Sequence, residues 1–255
     1  MLEKTSTIDG HKLHWYTQIS NKPKHNIFLV HGWGGTGGSL SELAKLIGAD
    51  SNLFLIDLPG FGKSDNPPKT WGPYEYAELV GKWISESSKN RLPNSFIGHS
   101  FGGGIGAILS AKNPKLVNKL ILVSSAIYRD PKINATISKF KKLPFYNKIR
   151  DMMKGSKRLF YRIVVPQSDS YKYAELETNF REIISTDLSK NLVKISQKTL
   201  ILWGDQDKDT PLELGKKLHK EISGSVLKIY AGYGHGLPKK APEVIAPDII
   251  KFINS

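Results

Sequence analysis

The chain has no cysteine among its 255 residues, which excludes disulfides, thiolate metal sites and a cysteine nucleophile, and suits a reducing compartment. Long apolar runs are missing as well. No uncharged stretch reaches the length of a membrane span, and the opening "MLEKTSTIDGHKLHWYTQ" carries no apolar core of the kind a signal peptide needs. A soluble, cytoplasmic protein is the expectation. Acidic residues are scarce beside basic ones, 23 against 37, for a net charge of +14. Such an excess raises the question of nucleic acid. Zinc-finger, RNA-recognition and Arg/Gly signatures are all missing, however, and the lysines are scattered, so a solvated basic surface with no nucleic-acid partner is expected. The excess is uneven: Arg129 to Lys190 holds fourteen basic against seven acidic side chains. Internal repeats and low-complexity tracts are also lacking, and the length suits one α/β domain with an insertion.

What is present alternates. An Asp9-Gly10 turn signal joins Lys4–Thr7 to Leu13–Gln18 as an opening hairpin. Six apolar runs follow: Asn26–Val30, Asn52–Asp57, Ser95–Gly98, Lys119–Ser125, Thr199–Gly204 and Val226–Tyr230. Apolar on both faces, they read as central strands of a mostly parallel sheet. Between them the pattern predicts helices over Ser39–Ile47, Pro73–Ser88, Phe101–Lys112, Pro211–Ile222 and Pro242–Ile253, three of them with proline at or near the start, where it is tolerated. This is an α/β fold with helices on both faces. Residues 126–192 break the alternation with a basic, aromatic-dotted stretch far longer than an ordinary connection. The expected organisation is a core of residues 1–125 and 193–255, with a helical cap over 126–192 inserted after the sixth strand.

The stretch "FIGHSFGGGIG", Phe96 to Gly106, holds five glycines around one serine. Gly98 and Gly102 each stand two residues from Ser100, the spacing of a nucleophile elbow, and the required context of strand, turn and helix surrounds them. A serine is a weak nucleophile at neutral pH and needs a base, itself held by a carboxylate. Those partners belong at the carboxyl ends of other strands. Of the seven histidines, His235, in "YAGYGHGLPKK", is the one in a loop directly after a late strand. His11, His14, His25 and His219 read as surface or structural, and His99 as a structural neighbour of the serine. For the acid, "LWGDQDKDTP" offers Asp205, Asp207 and Asp209. The chain order serine, aspartate, histidine is that of the α/β-hydrolases. Near the start, "FLVHGWGGTGG" ends a strand at His31 and Gly32. It can supply the Trp33 amide as one half of an oxyanion hole, the other half being the Phe101 amide. The same loop lacks both the GxGxxG spacing and the Lys-Ser/Thr of a P-loop.

Taken together, "LVHGWGG", "LIDLPGFGKSD", "FIGHSFGGG", "KLILVSS", "LILWGDQDKDTP" and "GYGHG" resemble the α/β-hydrolase superfamily, in its small branch with a helical cap. That resemblance implies Ser100 as nucleophile, His235 as base and Asp207 as acid, the acid standing three residues after Gly204, with Asp205 as the fallback. Asp57, Gly60, Gly62 and Ser64 match an architectural loop of the family. One departure is Lys240, where a glutamate commonly follows the histidine. A serine at the elbow disfavours the dehalogenase and related epoxide chemistry, which use aspartate there. It implies a carboxylesterase acting on small to medium esters, with no cofactor and no metal. The same triad serves carbon-carbon bond hydrolases, lactonases and thioesterases, and a non-catalytic receptor can keep it. Arg150, Arg158, Arg162 and Arg181 read as solubilising charges of the cap, or as a grip on an anionic substrate. Phe140, Phe145, Tyr146, Phe160 and Tyr161 read as lid packing. A monomer or small homo-oligomer with a small-molecule substrate is expected.

Overall fold

The computed structural model describes residues 1–129, 173 and 175–255. Eight strands form one sheet: β1 (Leu2–Ile8), β2 (His11–Gln18), β3 (His25–Val30), β4 (Ser51–Ile56), β5 (Asn94–His99), β6 (Lys119–Val123), β7 (Lys198–Gly204) and β8 (Val226–Tyr230). Their spatial order is β1-β2-β4-β3-β5-β6-β7-β8. The hairpin β1-β2 and its junction with β4 are antiparallel, and every later pairing is parallel.

Alternation along the inner strands feeds two cores, as the period of two requires. Phe28, Val30, Phe54, Ile56, Leu120 and Leu122 face one side. There they meet α2 (Pro73–Ser87), α3 (Phe101–Lys112) and α5 (Leu212–Glu221) through Trp83, Ile105, Ile108 and Leu218. Ile27, Leu29, Leu53, Leu55, Ile121 and Val123 face the other side. They meet α1 (Ser41–Ile47), the short α6 (Leu237–Lys240) and α7 (Pro242–Ile253) through Leu43, Ile245 and Ile249. Within the stretch expected to be a cap lies α4 (Glu177–Ser185), and a 3-10 helix over Ser189–Lys194 crosses its expected end at residue 192. Residues 130–172 and 174 of that stretch, with Arg150, Arg158, Arg162, Phe140, Phe145, Tyr146, Phe160 and Tyr161, fall outside the described residues.

Two expectations need correction. The run Val226–Tyr230 was expected to be a central strand, but β8 is an edge strand paired with β7 alone. Val226 and Ile229 are close to half exposed, so apolar content did not mean burial here. The sixth strand was expected to reach Ser125, yet it stops at Val123. Ser124 takes φ +46°, and that left-handed backbone cannot continue a strand.

The amino ends of the central strands carry a ladder of asparagines. Asn52 Nδ2 donates to Asn26 Oδ1 at 3.0 Å, Asn26 Nδ2 donates to Asn94 Oδ1 at 3.0 Å, and Asn94 Nδ2 donates to the Leu116 carbonyl at 3.0 Å. Asn26, Asn52 and Asn94 are all buried.

Candidate active site

Everything singled out for chemistry lies beyond the carboxyl ends of parallel strands. The register pairs Val30 with Gly98, Gly98 with Leu122, Val123 with Leu202 and Gly204 with Tyr230. The segments that follow these residues therefore leave the sheet along one edge, where ligands of open α/β sheets bind.

Ser100 stands between β5 and α3 with φ +52° and ψ −113°. This backbone is strained for a residue with a side chain, by about 1–3 kcal/mol. The surroundings fix it: the Ser100 N–H donates to the Val123 carbonyl at 3.0 Å, and the Ser100 carbonyl accepts from the Ala126 N–H at 3.0 Å. Gly98 and Gly102 permit the turn, because a side chain on Gly98 would overlap the Gly102 carbonyl and one on Gly102 would overlap that of Val30. The Ser100 hydroxyl makes no hydrogen bond among the described residues, so the contact between serine and base expected of a triad is not made here. Catalytic hydrogen bonds often tighten only when substrate is bound.

The loop after β3 lies against this serine. A Cβ on Gly32 would come within 3.0 Å of Ser100 Cβ. His31 anchors the loop. Its Nδ1–H donates to the Gly32 carbonyl at 2.7 Å, and its Nε2 accepts from the Leu58 N–H at 3.0 Å. Burial pulls this imidazole down to about 4, so the ring is neutral with a fixed tautomer. The backbone N–H groups of Trp33 and Phe101 have no hydrogen-bond partner among the described residues.

Across the sheet, the loops after β7 and β8 meet. His235 Nδ1 lies 2.9 Å from Asp207 Oδ2 and 3.2 Å from Oδ1. The Asp207 side chain is 0% exposed and that of His235 is 21% exposed. The carboxylate also accepts the Thr210 hydroxyl at 2.9 Å, the Thr210 N–H at 2.8 Å and the Asp209 N–H at 3.0 Å. Burial pushes the Asp207 carboxyl up, but the hydrogen bonds from His235 and Thr210 outweigh it and hold the group below its ordinary value. An ionised carboxylate is an acceptor only, so the proton of neutral His235 sits on Nδ1 and Nε2 is left free to act as a base. Asp205 is not brought to the histidine: its Oδ1 accepts from the Gly232 N–H at 2.8 Å and closes a turn. Donor atoms of Asp207, Asp209 and His235 lie within 4.8 Å of one another, but Asp207 already accepts four donors, which leaves a cation little to bind.

Three features were not foreseen in the sequence. Thr210 braces the acid, and its only sequence signal is its place at the end of "DQDKDTP". His99, read as a neighbour of the serine, donates from Nε2 to the His235 carbonyl at 2.8 Å, which ties the elbow to the histidine loop. Burial and the nearby His235 pull its imidazole down to about 3. Finally, Tyr173 and Phe180 pack on the Trp33 ring, with centroids 6.4 Å and 5.0 Å away. They form an aromatic wall beside Phe61 and Phe101. Arg181 pairs with Glu177 along α4. Asp57 is buried and structural, accepting from Gly37 N–H at 2.7 Å and lying 2.8 Å from His14 Nδ1.

Comparison with known proteins agrees with this fold. Residues 26–148 match the family described as the alpha/beta hydrolase fold. An uncharacterized hydrolase, YugF of Bacillus subtilis (strain 168), is 26% identical over 97% of this chain and 96% of its own length. A 2-hydroxy-6-oxononadienedioate/2-hydroxy-6-oxononatrienedioate hydrolase of Klebsiella pneumoniae is 25% identical over 83% of this chain and 81% of its own. Among solved structures, an esterase from Exiguobacterium antarcticum superposes with a TM-score of 0.74 at 22% identity, covering 100% of both chains.

Proposed function

Because this chain belongs to the α/β-hydrolase superfamily, we propose that it is a serine hydrolase, a carboxylesterase of small to medium carboxylic esters, working through Ser100, His235 and Asp207. The observation that carries the reading is the buried, four-times hydrogen-bonded Asp207 carboxylate 2.9 Å from His235 Nδ1, on the same sheet edge as a strained serine.

In this reading His235 Nε2 takes the Ser100 proton as Oγ adds to the ester carbonyl. The Trp33 and Phe101 amides receive the oxyanion, and each such donor is worth about 3–4 kcal/mol in the transition state. Asp207 keeps the imidazole in the useful tautomer and stabilises the imidazolium. His235 then returns the proton to the leaving alkoxide. A water molecule, deprotonated by the same Nε2, hydrolyses the acyl-enzyme and regenerates Ser100. The aromatic wall of Trp33, Phe61, Tyr173 and Phe180 favours an apolar acyl group.

A second reading, hydrolysis of a carbon-carbon bond in a vinylogous 1,5-diketone, is favoured by the name of the Klebsiella relative. A panel of p-nitrophenyl esters of rising chain length, run beside such a diketone and a lactone, separates the two. Ester turnover with labelling of Ser100 by a fluorophosphonate, both lost in Ser100→Ala, is the expected result. If neither ester nor diketone turns over and the probe leaves Ser100 unlabelled, the serine-hydrolase reading fails.

A further inference from the structure

A groove of about 530 Å³ opens away from the serine, lined by Tyr74, Ala111, Lys112, Lys190, Asn191 and Lys194. Three elements build it: the first turn of α2, the last turn of α3, and the 3-10 helix over Ser189–Lys194. Lys112 lies at the opposite end of α3 from Ser100, roughly 17 Å away at 1.5 Å per residue. The groove therefore cannot hold the reacting carbonyl.

Its chemistry is one-sided. Lys112 Nζ stands 4.8 Å from the centroid of the Tyr74 ring, and Lys190 Nζ stands 5.5 Å from it. Two ammonium groups thus share one aromatic ring, and Lys194 lines the same groove. None of the three has a carboxylate within 4.0 Å among the described residues. Some lysines elsewhere on this surface do find one, as in Lys24–Asp50, Lys45–Glu42 and Lys216–Glu213. The ring also supports a directed donor. Buried Asn191 donates from Nδ2 to the Tyr74 hydroxyl oxygen at 3.1 Å. Its acceptor side is thereby occupied, and the phenol hydrogen has no partner among the described residues. Three like charges gathered with an unspent O–H repel one another until an anion joins them.

We propose that this groove is a phosphate-binding site. A single carboxylate would neutralise one of the three ammonium groups. A phosphate monoester carries about −1.5 to −2 charges and three strong acceptor oxygens, enough to meet two or three lysines and the Tyr74 hydroxyl together. Lysine binds such a group as a point charge. The phosphate arrives either on a soluble small molecule or on a lipid headgroup, and the recognition chemistry is the same for both.

Equilibrium dialysis of radiolabelled pyrophosphate against the full chain, at constant ionic strength set with sodium chloride, tests the site. Saturable one-site binding is expected. Lys112→Ala/Lys190→Ala/Lys194→Ala should raise Kd at least tenfold and Tyr74→Phe about threefold. The matched charge control, Lys22→Ala/Lys89→Ala/Lys251→Ala, should leave it unchanged. Circular dichroism should be the same for all variants. A parallel arm sediments the protein with phosphatidylcholine vesicles, with or without 20% phosphatidic acid. Retention on the phosphatidic acid vesicles that pyrophosphate competes away assigns a lipid headgroup, and pyrophosphate binding without retention assigns a soluble ligand. The proposal is overturned if neither probe binds saturably, if the groove triple variant binds like wild type, or if the control triple variant loses as much as the groove variant.

Discussion

At the amino ends of β3, β4 and β5, buried asparagines hand hydrogen bonds from strand to strand until the last amide reaches a backbone carbonyl. At the carboxyl ends of the same sheet several polar groups are left unspent. The Ser100 hydroxyl, the Trp33 and Phe101 amides and the buried Ser125 hydroxyl have no partner among the described residues, and Ser100 and Ser124 both take positive φ. A satisfied polar network rigidifies a core, whereas unsatisfied groups and strained backbone cost stability. One end of the sheet holds the molecule together, and the other end spends part of that stability on a site.

The contrast can be broken by substitutions that ought to act on one end only. The largest effect falls on the carboxyl end: Asp207→Asn should lower kcat for ester hydrolysis by about 10⁴-fold, because the wrong imidazole tautomer is then favoured. Asp205→Asn, which loosens only a turn, should change kcat less than about threefold. Equal small losses in a kinetic comparison of the two would overturn the choice of Asp207.

Next comes pH. His31 is buried and stays neutral down to about 4, against an ordinary value of 6.5. Between those values the unfolded chain binds the proton and the folded chain does not. Stability is therefore whole above pH 6.5 and falls as pH drops towards 4, by about 3 kcal/mol across that window for this one group. His99 acts in the same direction. Urea titrations at several pH values should show the fall, and His31→Gln should flatten it even though the variant starts from lower stability.

At the amino end, Asn26→Leu strands the amide groups of Asn52 and Asn94 in the interior. It should cost about 2–3 kcal/mol while leaving kcat within twofold of wild type and the pH slope unchanged. A matching loss of kcat would show that the two ends are coupled. The smallest effect returns to the elbow. Ser100→Gly, which removes a side chain from φ +52°, should kill hydrolysis and raise stability by about 1 kcal/mol. A fall in melting temperature would mean the elbow stores no strain.

The two ends were not equally legible in the sequence. The carboxyl end announces itself because chemistry restricts residue types: an elbow needs its glycines, a base needs a loop after a late strand, and an acid needs to follow its strand closely. The loop after Gly204 still offered three acids, and only the fold separates Asp207 on the histidine from Asp205 on a turn. The amino end was silent. Asn26, Asn52 and Asn94 each open an apolar run, yet nothing local says that three strands will bring them side by side. The misread β8 has the same cause, since Val226–Tyr230 has the composition of a core strand and edge placement is a property of the whole sheet. His99 acts through a partner 136 residues away in the chain, beyond the reach of any local pattern, whereas Thr210 reaches Asp207 three residues before it as well as His235 25 residues on.

That edge position of β8 bears on how the molecule fails. Ser100 hangs from β5, hydrogen-bonded to a strand on each side, while His235 follows β8, which has a neighbour on one side only. Apart from the contacts of His235 Nδ1 with Asp207 and Thr210, three hydrogen bonds among the described residues tether the histidine loop: the Gln206 N–H donates to the Tyr233 carbonyl at 2.9 Å, the Gly232 N–H donates to Asp205 Oδ1 at 2.8 Å, and His99 donates to the His235 carbonyl. On warming, an edge strand of this kind is expected to open ahead of the central strands and to carry the His235 loop away from Ser100. Ester hydrolysis measured against temperature should then fall below the melting transition seen by circular dichroism and return on cooling.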